Sequence, residues 1–248
     1  MKKVLCPCLR SRVIEFLIRS SQLLEVSPTV KYSALSLFAD RFYPALSGLE
    51  GSRVKKNWLL HPIEESNLQL FALVSLWISS KIHDSPPLSV KHFKSLGDKF
   101  IKEQHYTTGD ILEAVRFFFK VLGYGIGMSN IAFVLVEELL VQFKAVAQVG
   151  EHVKFEACME IMDLLYENEE TSVLYSSPEA LAASVVVVAY TITVPPQRWE
   201  FPVLPWGKSS SITNKASFYP LRHYYLTFAH APSLLTANLK CHNSDKML

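Results

Sequence analysis

Between Leu68 and Ile78 the chain sets Leu68, Leu70, Phe71, Leu73, Val74, Leu76, Trp77 and Ile78 on nearly every side of a helix. A helix resting on a surface keeps one polar face, so a segment apolar all round predicts an element buried on all sides. Ser66 or Asn67 can cap its start. Asp84-Ser85-Pro86-Pro87 ends it, because proline cannot continue the hydrogen-bond ladder. A single ammonium, Lys81, stands in the last turn and has two readings. It can complement the unpaired carbonyls of the helix C-terminus, or it can lie along the apolar surface with its head free for a partner.

The same helical period recurs on both sides of this element. Arg10 to Leu24 carries Val13, Phe16, Leu17, Leu23 and Leu24 at helical spacing. Ser27-Pro28 reads as an N-cap with proline at the first helical position, opening a helix to about Phe42. Its end, Asp40-Arg41-Phe42, is a solvated pair, or else a buried Asp40 that needs a cation. Pro44, Gly48, Gly51 and Pro62 then break the pattern from Tyr43 to Glu65, a long loop that is either an insertion or an interaction element. A short helix over Ser89 to Leu96 follows. Another starts at Thr107 or Thr108 and runs to Leu122 with Ile111, Leu112, Val115, Phe118 and Phe119 inward and Gly123 as its C-cap. Five helices are thus predicted by residue 123.

Gly123 to Gly127 has the wrong glycine spacing for a phosphate-binding loop and follows a helix instead of a strand, so it reads as a link. Helices are predicted again over Asn130 to Val149 and Lys154 to Glu169, then from Ser177-Pro178 to Val194. Beyond Pro195-Pro196 no period is sustained.

Composition narrows the function classes. The chain has 248 residues, of which 49% are hydrophobic and 19% charged. Such a chain can bury a sizeable core. A net charge of +2 leaves no electrostatic footprint for nucleic acid or anionic membrane. The window Ala180 to Val194 falls short of the roughly 18 to 20 apolar residues that a bilayer demands. Four cysteines are too few for a disulfide framework and suggest a reducing compartment, and the Cys6-Pro7-Cys8 spacing does not suit a metal. Pro7 and Arg10 interrupt the start before it could serve as a secretory signal. The eight histidines form no metal-spaced pair and no serine sits in a nucleophile elbow, so no metal, cofactor or catalytic residue is assigned.

Taken in order, these motifs resemble the cyclin family, most closely the J-type cyclins of plants, over residues 9 to 125 and more weakly to about 195. Asp40-Arg41-Phe42 resembles the family's DRFL. The run from Leu68 through Ser80-Lys81 to Ser89-Val90 and Phe93 resembles its LQL, ASK and P-S-V-x-x-F series. Tyr106-Thr107, Ile111-Leu112 and Val121 to Tyr124 resemble its YT, I-L and L-G-F signature.

The resemblance implies an all-α cyclin fold of two stacked five-helix boxes, the second divergent or incomplete. The expected division is 1–125 for the first box, 126–195 for a second helical domain and 196–248 for an irregular tail. It implies a non-enzymatic regulatory subunit that binds and activates a cyclin-dependent protein kinase in cell-cycle control, with kinase substrates or inhibitors as further partners and with the nucleus, alone or alongside the cytoplasm, as location. Lys81 takes the position of the family's kinase-binding lysine. Val115 stands where the family has Glu, and Glu113 is the nearby acid. Arg10 and Asp40 take the positions of a buried ion pair tying the first helix to the second. Leu9, Val13, Phe16, Leu68 and Gln69 match a substrate-docking groove, in which Arg12 replaces an apolar residue and weakens the site. The competing reading is a cyclin-fold transcription or scaffold protein that does not activate a kinase.

Overall fold

The computed structural model describes residues 7–48, 58–60, 63–126, 131–146, 148–168 and 177–195, and among these the regular elements are all helical. The basic cluster Arg53, Lys55 and Lys56, part of the link after Ile126 and the tail from 196 onward lie outside the described residues.

Helix α1 spans Pro7–Leu23 and turns Val13, Ile14, Leu17 and Ile18 inward. Helix α2, Pro28–Leu35, opens as expected: the Ser27 hydroxyl accepts from the Val30 amide at 3.4 Å. Pro28 fills the first turn, where its missing N–H costs nothing. The chain then widens into a π-helical turn, Ser36–Phe42, and resumes as α3, Tyr43–Gly48. This corrects the expectation of a loop from Tyr43. Pro44 follows directly in this continuous helix: the Tyr43 amide still donates to the Phe38 carbonyl, and Pro44 has no amide to continue the ladder. The wider turn brings Leu37, Phe38, Ala39 and Phe42 all inside.

Helix α4, Glu65–His83, is the predicted central element. Thirteen of its nineteen residues are buried, and it packs against α1, α2, α5 and α6, the last two defined below. Its cap differs from expectation. Glu64 occupies the cap position, and Asn67 Oδ1 reaches back to accept from the Glu64 amide at 3.3 Å. Asn67 therefore caps from inside the helix. Helix α5, Val90–Phe100, and α6, Thr108–Val121, complete this half. Thr107 and Asp110 form a reciprocal capping box of the kind that satisfies two orphan amides at once. Gly123 leaves α6 at φ 59°, a left-handed conformation that glycine adopts without strain. The core is knitted by aromatics. Phe42 stacks on Phe118 with centroids 4.4 Å apart and meets Phe71 at 4.8 Å, joining the π-helical turn to α6 and α4. Such ring pairs add to the area that they bury.

The second half has α7, Ala132–Val146, a 3₁₀ turn at Gln148–His152, α8, Phe155–Asn168, and α9, Pro178–Thr193. Ser177 caps α9 by accepting from the Ala180 amide at 3.3 Å, the same device as at Ser27. Both α7 and α8 pack on α9. The 3₁₀ turn runs so close to α7 that a Cβ on Gly150 would lie 2.8 Å from the Lys144 Cα.

The halves meet where α1 packs on α8 and α2 on α7. Tyr32 stacks on Phe133 at 4.8 Å, and its single hydroxyl proton is shared between the Met159 carbonyl at 2.9 Å and Asp163 Oδ1 at 3.0 Å. Lys31 Nζ lies 2.5 Å from the other oxygen of Asp163. Among the described residues no helix is long and apolar enough to cross a membrane.

Candidate functional site

The C-terminal end of α4 is pinned on three sides. The Leu88 amide donates to Ser80 Oγ at 2.9 Å and the Leu88 carbonyl accepts from Trp77 Nε1 at 3.1 Å, so both polar backbone groups of one residue clip the Asp84 to Ser89 loop back onto the helix. His83 Nε2 and Ser79 Oγ both reach Ser33 Oγ on α2, at 3.2 and 3.3 Å. Ser27 Oγ donates to Asp84 Oδ1 at 3.3 Å. The Asp84 amide closes the helix onto the Ser80 carbonyl at 3.0 Å. A helix end usually frays, leaving its last carbonyls to water; these bonds hold this one in place.

Lys81 projects from that end. Its side chain is exposed, its Nζ lies 5.7 Å from the centroid of the Trp77 ring, and it makes no ion pair among the described residues. Beside it Ile82 is 50% exposed, an apolar side chain left to solvent at the helix tip. On α6, which packs against α4, Glu113 is half-buried, and among the described residues no ion pair joins it to Lys81. Val115 packs partly buried against the core.

Arg10 and Asp40 are drawn together through a residue that the sequence pattern does not single out. Arg10, only 5% exposed, donates from Nη1 to the Tyr166 carbonyl at 3.0 Å, and the Tyr166 hydroxyl donates to Asp40 Oδ2 at 3.1 Å. Burial, reinforced by the Asp40 charge, raises the Tyr166 pKa well above the usual phenol value. The group stays protonated and remains a donor. Nothing in the local sequence around Tyr166 signals this, because its partners lie 126 and 156 residues away in the chain. Trp77 is legible in the sequence only as one more apolar residue of α4.

The groove residues separate by exposure. Val13 and Leu68 are wholly buried in the core, while Leu9, Phe16 and Gln69 keep part of their surface. Arg12 pairs across the α1–α4 seam with Glu65 at 2.9 Å, and Glu65 also accepts from Gln69 Nε2 at 3.2 Å. A polar bridge therefore crosses the seam between Leu9 and Phe16. Burial pushes the Tyr106 hydroxyl up to about 12 and the Cys158 thiol up to about 12. Cys158 is thus not a reactive thiolate at neutral pH. Among the described residues no cluster of three or more His, Cys, Asp or Glu is arranged to hold a metal ion.

A family profile described as "Cyclin, N-terminal domain" matches residues 2–127. Cyclin-J18 of Arabidopsis thaliana is 56% identical over 207 residues, 84% of this chain and 88% of its own length. A Cyclin-J18-like protein of Oryza sativa subsp. japonica is 52% identical over 206 residues, 81% of this chain and 79% of its own. The X-ray structure of a viral cyclin from Herpesvirus saimiri superposes with a TM-score of 0.59, covering 88% of this chain and 83% of that one, at 16% identity.

Proposed function

From the premise that this chain belongs to the cyclin family, we propose that it is the regulatory subunit of a cyclin-dependent protein kinase and activates that kinase in cell-cycle control. The observation that carries the reading is the pinned end of α4, which presents the exposed Lys81 beside the exposed Ile82 from a helix with thirteen of its nineteen residues buried. A rigid surface that binds only the ordered conformation of a kinase shifts the population of conformations toward that state, with no chemistry of its own. Lys81 is the contact this proposal rests on, with Glu113 on α6 as a second polar contact. Arg10 and Asp40 are structural and brace α1 against the turn after α2. The groove is a secondary surface, weakened by the Arg12–Glu65 bridge, with Leu9 and Phe16 as its accessible apolar residues. The proposed location is the nucleus.

Two experiments test the reading. The purified chain is expected to confer peptide kinase activity on a plant cyclin-dependent kinase. Lys81→Ala is expected to weaken co-purification about tenfold, the scale of one charge-assisted hydrogen bond lost at an interface. Unchanged binding in that variant would remove the proposed contact. Pull-down that recovers transcription factors and no kinase would instead favour a cyclin-fold scaffold.

A further inference from the structure

Resting on that reading of Lys81, we infer that Trp77 is a positioning residue for the contact, fixing the Lys81 ammonium in place before a partner arrives. A lysine side chain has several rotatable bonds, and an exposed one spreads its charge over many rotamers. Confining it on binding costs affinity unless it is already confined. No carboxylate among the described residues supplies that confinement, and the apolar Val115 on the neighbouring α6 packs against the core. Trp77 lies one helical turn before Lys81, so the two share a face. The ammonium sits 5.7 Å from the ring centroid, inside the reach of a cation–π attraction.

The ring is itself immobilised. Its Nε1 donates to the Leu88 carbonyl at 3.1 Å, and it meets the Phe93 ring on α5 with centroids 6.3 Å apart. Leu88 cannot drift, because its amide is held by Ser80. The sequence of supports runs from α5 and the Leu88 clip, through a half-buried indole, to one ammonium at the surface. The partner such a patch fits is a protein surface offering an oxygen acceptor, a backbone carbonyl or a carboxylate, next to an apolar side chain that can cover Ile82.

A double-mutant cycle on binding to an immobilised plant cyclin-dependent kinase tests the inference, with thermal melting to confirm that each variant is folded. Trp77→Leu is expected to weaken binding about two- to fivefold, the range of an exposed cation–π contact. Trp77→Phe keeps a ring face and is expected to recover part of that loss. The loss from Trp77→Leu is expected to disappear when Lys81 is already Ala, since the ring then has nothing to hold. Losses that simply multiply in the double variant, or a Phe variant as weak as the Leu variant, would overturn the role of Trp77 while leaving Lys81 intact. No loss on Lys81→Ala alone would overturn the underlying contact and the inference together.

Discussion

At the scale of single residues, the buried tyrosines weigh on how stability responds to alkaline pH. Tyr32 and Tyr166 are both raised above the ordinary phenol value, chiefly by burial and then by Asp163 and Asp40, and Tyr106 is pushed to about 12 by burial. A phenol whose folded pKa is raised binds its proton more tightly when folded. Its contribution is complete below the unfolded value of 10.0 and is lost as pH climbs through the folded one. The melting temperature is therefore expected to fall progressively above about pH 10, and Tyr166→Phe is expected to flatten that fall. At neutral pH Tyr166→Phe removes the donor to Asp40 and is expected to cost about 1–3 kcal/mol in urea unfolding. Lys81 can be proposed from the sequence because its place in a motif is a sequence property. Tyr166 and Asp163 are not, because each acts only on residues brought close by the fold.

Among the elements, α4 is the easiest to read and α3 the hardest, and the difference is physical. An apolar surface on every side of α4 is a property of the sequence itself, and the structure buries those same residues, Trp77 in part. The π-helical turn before α3 breaks the ordinary helical period. Pro44 and Gly48 resemble loop punctuation, although the chain stays helical through both. Caps are readable within a residue or two because the side chains that serve them are few. Ser27, Thr107 and Ser177 hold their expected roles, while the cap of α4 moves to Glu64. Thr107→Ala, which dismantles the capping box of α6, is expected to lower stability by about 1 kcal/mol in chemical denaturation. Phe42→Ala opens a cavity where three helical segments meet and is expected to cost about 3–5 kcal/mol. Gly150→Ala drives a methyl group into the backbone of Lys144 and is expected to lower the melting temperature. Gly97→Ala, with Leu73 at an ordinary 3.7 Å, is expected to be tolerated.

For the molecule as a whole, the question is whether the first half, which carries the proposed kinase contact, can stand without the helices that follow Ile126. The expected boundary near residue 125 would make the first half a separable unit. The contacts across that boundary argue that separation carries a large cost. Tyr32 would lose Phe133, the Met159 carbonyl and Asp163; Arg10 would lose the Tyr166 carbonyl; and Lys31, whose side chain is 13% exposed, would lose its carboxylate. Arg41 would still hold the Gly125 carbonyl, which lies on the first side of the cut. The interlock can be probed without truncation. Asp163→Ala leaves the Lys31 ammonium without its carboxylate in a mostly buried place. It is expected to cost about 1–3 kcal/mol, less than the roughly 3–5 kcal/mol of a fully buried pair because water still reaches both groups. Asp163→Asn keeps an acceptor for Tyr32 and is expected to cost less than the alanine. A chain ending at Ile126 is then expected to unfold at lower urea than the full chain and to bind the kinase more weakly. If its midpoint matched the full chain and Asp163→Ala changed nothing, the second half would be a passenger on a self-sufficient first box.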